Sequence, residues 1–84
     1  MYNKTKLQSS THNWREVNNL REIGIFLREK RKEMGLTQSE AAGLCNVGVR
    51  FISDMENGKP TMHFDKVFKV LKRFGILIGI SERA

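Results

Sequence analysis

Little in this chain can build a disulfide framework, a metal centre or a membrane anchor. It holds one cysteine, Cys45, in 84 residues, so no intramolecular disulfide can form, a usage that suits a reducing compartment. Cys45 is expected to serve as a small buried hydrophobe. His12, Cys45 and His63 are scattered and lack metal-ligand spacing. No apolar run approaches the ~20 residues of a membrane span. The N-terminus has no apolar h-region of a signal peptide, which points to the cytoplasm. Several serines are present, but none sits in a nucleophile motif, and there is no glycine-rich phosphate loop. The expectation is a protein that is not an enzyme and takes no cofactor and no metal. At this length there is room for one core. Such a chain buries only about 60% of its unfolded surface, so dimerisation would help it.

What the chain has is positive charge: +6 overall, with a pI near 9.9. Residues 1–19 carry Lys4, Lys6 and Arg15 against Glu16, a net +2. Residues 20–75 carry eleven bases against seven acids, a net +4. A small basic domain suggests a polyanionic partner.

The sharpest local signal runs over residues 35–59. Gly35 ends one helix. Thr37 and Glu40 form a capping box for the next, expected over about 38–45. Asn46-Val47-Gly48 makes a bend. Another helix follows over about 49–57 and closes on Gly58. Ala42, Val47, Ile52 and Met55 are expected to face a shared core. Two capped helices joined by a tight bend can place the second in the major groove of DNA.

Around this pair, a first helix is expected over about 20–34, with Leu20, Ile23, Leu27 and Met34 on its inner face and Phe26 on the flank. Ile25 falls opposite, either as an ordinary exposed side chain or as a protein contact. Gly24 inside this helix costs about 1 kcal/mol relative to Ala, which suggests a close neighbour. A fourth helix is expected over about 64–74, burying Phe64, Val67, Phe68, Leu71 and Phe74, with His63 as a weak cap. Residues 1–18 read as a flexible basic arm, with Trp14 and Val17 as docking candidates. The arm is a disordered tail, a DNA-touching segment or a partner-binding one. Ile76, Leu77, Ile78 and Ile80 read as a short strand in a C-terminal tail over 76–84. A lone strand needs a partner, either the same segment of a second copy or the chain's own core.

Arg28, Arg31, Gly35-Leu36-Thr37-Gln38, Glu40, Ala42, Val47, Ile52, Glu56-Asn57-Gly58-Lys59 and Val70-Leu71 together resemble the Cro/repressor-type (XRE-like) helix-turn-helix family. The resemblance covers about two thirds of the chain. Residues 50–61 and 67–75 look most like HipB-like antitoxins. The resemblance implies an all-α, four-helix lambda-repressor-like domain over residues 19–75, with the C-terminal strand pairing across a homodimer. It further implies a repressor that autoregulates its operon and partners a HipA-like kinase toxin. The alternatives are a phage-type repressor, a restriction–modification controller, or a protein-interaction module that does not depend on DNA.

On the third helix, Val49, Arg50, Ser53 and Asp54 lie opposite Ile52 and Met55 and are the candidates for base readout. The planar fork of Arg50 matches guanine O6 and N7. Asp54 would repel phosphates, so it either reads a cytosine amino group or pairs with a base on the protein. Thr37 and Gln38 sit at a helix N-terminus that favours anions. By resemblance, Gln38, Asn57 and Lys59 match backbone-contacting positions, and Arg31 and Glu56 match a structural ion pair. Gly48 stands where the family commonly has Ser or Thr, and Ala41 where it commonly has Leu. The expected DNA partner is a duplex with a palindromic operator.

Overall fold

The computed structural model describes residues 14–83 and is all-α, with four helices among them. These are α1 (Leu20–Glu33), α2 (Gln38–Cys45), α3 (Val49–Glu56) and α4 (Phe64–Arg73). The expected four-helix architecture is present. Of the expected N-terminal arm, residues 1–13 lie outside the described residues. Residues 14–18 have no regular structure and are exposed. Among the described residues no helix is long and apolar enough to cross a membrane.

Local chemistry sets the boundaries. The Asn19 side chain accepts from the Glu22 amide at 3.0 Å, and the Glu22 carboxylate accepts from the Asn18 amide at 2.8 Å. The α2 capping box forms as expected: Glu40 N donates to Thr37 Oγ1 at 3.0 Å and Thr37 N to Glu40 Oε1 at 2.8 Å. Each helix ends in one motif, in which a left-handed residue lets the amide after it bond back across the last turn. After α3, Gly58 (φ +71°) lets Lys59 N reach the Asp54 carbonyl at 3.0 Å. At the end of α2, Asn46 (φ 56°) does the same work without glycine, and Val47 N reaches Ala42 O at 3.0 Å.

The core is Leu27 from α1, Ala41, Ala42 and Cys45 from α2, Ile52 and Met55 from α3, and Val67, Val70, Leu71 and Phe74 around α4. Two of the expected faces need correction. Met34 is exposed, because α1 ends at Glu33 and the turn brings Leu36 against the core instead. Phe64 and Phe68 are also exposed, not buried. The inward arc of α4 centres on Val67, Val70, Leu71 and Phe74, leaving those two rings on its flank, where they pack on each other at 4.8 Å between centroids. Burial pushes the Cys45 thiol up, against the opposing fields of Arg73 and Lys69, so it stays protonated.

Residues 76–83 carry no regular structure in this chain, so the expected strand does not form within it. Ile76 packs on the core and donates to the Leu71 carbonyl at 2.9 Å. Leu77, Ile78 and Ile80 are exposed. The Trp14 ring lies over Gly79, where a Cβ would sit 3.1 Å from it.

Gly24 explains how closely α1 crosses α3. A Cβ there would overlap the Met55 carbonyl oxygen and lie 3.0 Å from the Glu56 carbonyl oxygen. Gly43 in α2 has nothing within 4 Å of the same construction. The two glycines should therefore respond oppositely to alanine. Gly24→Ala is expected to destabilise by about 1–3 kcal/mol through overpacking, despite its better helix propensity. Gly43→Ala is expected to stabilise by up to about 1 kcal/mol. Urea denaturation of the two variants checks both signs.

Candidate nucleic-acid interface

The expected recognition helix begins at Gly48, an N-cap with no side-chain hydrogen bond, so the first amides of α3 are left open. Ile52 and Met55 point into the core, as their spacing predicts. Val49 and Arg50 are exposed, and Ser53 and Asp54 are half-buried beside them. The four candidates for base readout thus share one outward face. Asp54 also takes the second of the roles open to it: its Oδ2 lies 3.6 Å from Lys59 Nζ. That contact places a positive charge over the one carboxylate that would repel phosphate.

At the last turn of the same helix lies a buried charge pair. Arg31 Nε donates to Glu56 Oε2 at 2.6 Å and its second nitrogen to Glu56 Oε1 at 3.0 Å, a two-pronged contact with side chains 10% and 3% exposed. The remaining Arg31 nitrogen donates to the Leu36 carbonyl at 2.7 Å. Gln38 Nε2 donates to the same Glu56 Oε1 at 3.1 Å. The ion pair of α1 with the end of α3 is therefore in place.

The Gln38 contact is a feature that sequence reasoning missed. It was expected to meet a phosphate, and nothing in the spacing of 38 and 56 announces the bond. Its amide nitrogen has a second hydrogen, so holding Glu56 and reaching outward are compatible. Thr37, Asn57 and Lys59 are exposed, with Asn57 at the C-terminal cap of α3 and Thr37 at the N-terminal cap of α2.

Burial works against the charge of Glu56. Hydrogen bonds from Arg31 and Gln38 and the fields of Arg31 and Arg28 outweigh it, and hold the carboxyl below its ordinary value near 4.5. Arg31 is shifted upward, chiefly by its bond to Glu56. The sign of the pH effect follows. A carboxyl depressed in the folded state stabilises fully above its ordinary value, and the stabilisation disappears as pH falls through the folded value. Wild-type protein should lose thermal stability progressively below pH 4.5, and Glu56→Gln should lack this part of the acid profile. At neutral pH, Glu56→Ala is expected to cost about 3–5 kcal/mol, because Arg31 is left charged and unpaired. Thermal melts across the acid range measure both.

Comparison with known proteins places this geometry. Residues 27–80 match the family model described as Helix-turn-helix. Over 59 residues the chain is 49% identical to the uncharacterized HTH-type transcriptional regulator y4mF of Sinorhizobium fredii, covering 70% of this chain and 78% of that protein. Over 61 residues it is 33% identical to the ImmF control region 10 kDa protein of Bacillus phage phi105, covering 73% of this chain and 63% of that one. Among solved structures, the fold is similar to a chain of the HipA-HipB-O2-O3 complex, with TM-score 0.74 and 20% identity over 84% of this chain and all of that one. A chain of the HipB-O4 20mer complex gives TM-score 0.73 at the same identity and coverage. With its capped α2, its outward α3 face and these sequence matches, the chain belongs to the helix-turn-helix family.

Proposed function

We propose that this protein is a sequence-specific DNA-binding repressor that acts as a homodimer, autoregulates its own operon and serves as the antitoxin of a HipA-like kinase toxin, in the cytoplasm. The observation that carries DNA binding is the outward face of α3, with Val49 and Arg50 exposed on a helix whose last turn is anchored by the buried Arg31–Glu56 pair. Arg50 reads guanine, Val49 packs on a thymine methyl, and Ser53 meets a base edge. Thr37, Gln38, Asn57 and Lys59 fix the register on the phosphates. The likeness of fold to HipB chains, together with residues 50–61, favours the antitoxin role. The protein works by binding and needs no catalytic group or cofactor.

Pairing of residues 76–80 between two copies supplies the dimer. Ile80 is 99% exposed, and Leu77 and Ile78 are exposed beside it. Residues 77–80 make no backbone hydrogen bond among the described residues. An extended apolar segment with open amides and carbonyls is ready for a matching strand. Two α3 helices then read half-sites about 34 Å apart or a multiple of that. The phage relative favours a second reading, a phage-type repressor with the same DNA chemistry. The neighbouring gene separates the two: a kinase-like toxin gene for the first, a lytic operon for the second.

Gel-shift titration on DNA upstream of the gene should show preference for an inverted repeat over random duplex at moderate salt. Equal binding to both would sink the proposal. Arg50→Ala is expected to lose about 1–3 kcal/mol and relax specificity at one base position. Ile78→Asp is expected to shift the protein from dimer to monomer in sedimentation experiments, with the helical content retained.

A further inference from the structure

Three faces divide α4. Val67, Val70 and Leu71 enter the core, Phe64 and Phe68 stack on one flank, and Lys66, Lys69, Lys72 and Arg73 are exposed. At 3.6 residues per turn these four bases fall within about 120° of arc. The row starts at the recognition helix and runs along the bend and α2. Lys66 Nζ lies 5.9 Å from the centre of the Phe51 ring, on the flank of α3 next to Arg50. Lys69 Nζ donates to the carbonyl of Asn46 at 3.4 Å, in the bend that leads into α3. Lys72 and Arg73 continue it beside Leu44 and Cys45.

No ion pair of the described fold engages the row. The ion pairs among the described residues are Lys30–Glu33, Arg31–Glu56 and Lys59–Asp54, and none uses it. Asp65, the sole acid of α4, falls on the same arc four residues before Lys69, so one acid stands among four bases. The helix dipole accounts for Lys72 and Arg73 in the last turn, but it disfavours Lys66 in the first. Helix stability therefore accounts for Lys69, beside Asp65, and for Lys72 and Arg73, but not for Lys66 or for a net charge of +3 on one exposed face.

We propose that Lys66, Lys69, Lys72 and Arg73 form a second phosphate track, which grips the duplex backbone outside the half-site that α3 reads. The inference rests on the DNA-binding function proposed above. From Lys66 to Arg73 the helix advances about 10 Å, the rise of roughly three nucleotides on one strand at ~3.4 Å each. Lysine presents a point charge on a flexible stem, which suits a backbone grip without base reading. The track adds affinity and salt dependence, and leaves sequence preference to α3.

The test uses full-length protein and two duplexes from its own upstream region. One is trimmed to the inverted repeat and the other carries about ten further base pairs on each side, one helical turn. Wild type should bind the longer duplex more tightly. The double variant Lys69→Gln/Lys72→Gln should lose that advantage. Removing four contacts per dimer should lower the slope of log affinity against log salt by about 3–4, with operator preference and thermal melting unchanged. The inference is overturned if the double variant matches wild type in affinity and slope on the longer duplex while Arg50→Ala still loses operator preference; DNA binding by α3 then stands without the track. Loss of a co-purifying protein partner with DNA binding intact overturns it as well, in favour of protein docking. No operator preference by wild type on either duplex removes the DNA-binding function and the track together.

Discussion

The arrangement of this domain depends on one buried carboxylate. Glu56, at the last turn of α3, takes two hydrogen bonds from Arg31 of α1 and one from Gln38 at the first turn of α2. Arg31 in turn holds the Leu36 carbonyl, in the loop between α1 and α2. Three helices and a loop are thus fixed around a single side chain. Taking two charges out of water carries a desolvation cost, and good geometry with satisfied partners is needed to offset it. Here both carboxylate oxygens are engaged, and among the described residues no buried side-chain nitrogen or oxygen lacks a partner. The return is orientation. The start of α2 and the outward face of α3 are set relative to each other in the free protein, and binding that uses both has little left to order.

Glycine allows that pair to form. The guanidinium can reach Glu56 because the α1 backbone comes down onto the carbonyls of Met55 and Glu56 at Gly24. Gly58 adds a second close approach, since a Cβ there would press 2.5 Å from the Cα of Arg21. Packing and electrostatics therefore act at the same crossing of α1 over α3. A side chain added at either glycine would push the helices apart and lengthen the buried hydrogen bonds as well.

Much of this was legible in the sequence, where the chemistry is local. The Thr37–Glu40 capping box, the left-handed Gly35 and Gly58 and the inward Ile52 and Met55 follow from short-range rules, and all are present. Gly24 announced a close neighbour, although not which one. Periodicity fared worse on α4, where Phe64 and Phe68 share a spacing that a buried stripe would use. Hydrophobicity alone could not tell the core arc from its flank, because the inward direction is set by α2 and by Leu27 across the core. The bond from Gln38 to Glu56 links residues eighteen apart, and no local rule foresees it. A strand over 76–80 could not be settled from one chain either, since its hydrogen bonds need a second segment.

The exposed tail has a consequence for the chain before it meets any partner. Leu77, Ile78 and Ile80 form an apolar, β-prone stretch that makes no backbone bonds of its own among the described residues. A segment of this kind pairs with whatever edge it encounters first, and that includes disordered association with further copies. Ser81, Glu82 and Arg83 follow at once, polar and exposed. They act as gatekeepers, because charge directly beside an aggregation-prone stretch penalises stacking beyond a single pairing. The glycine at 79 interrupts the same stretch under the Trp14 ring. Three polar residues at the end of the described chain thus bound the one apolar stretch that the four helices leave uncovered.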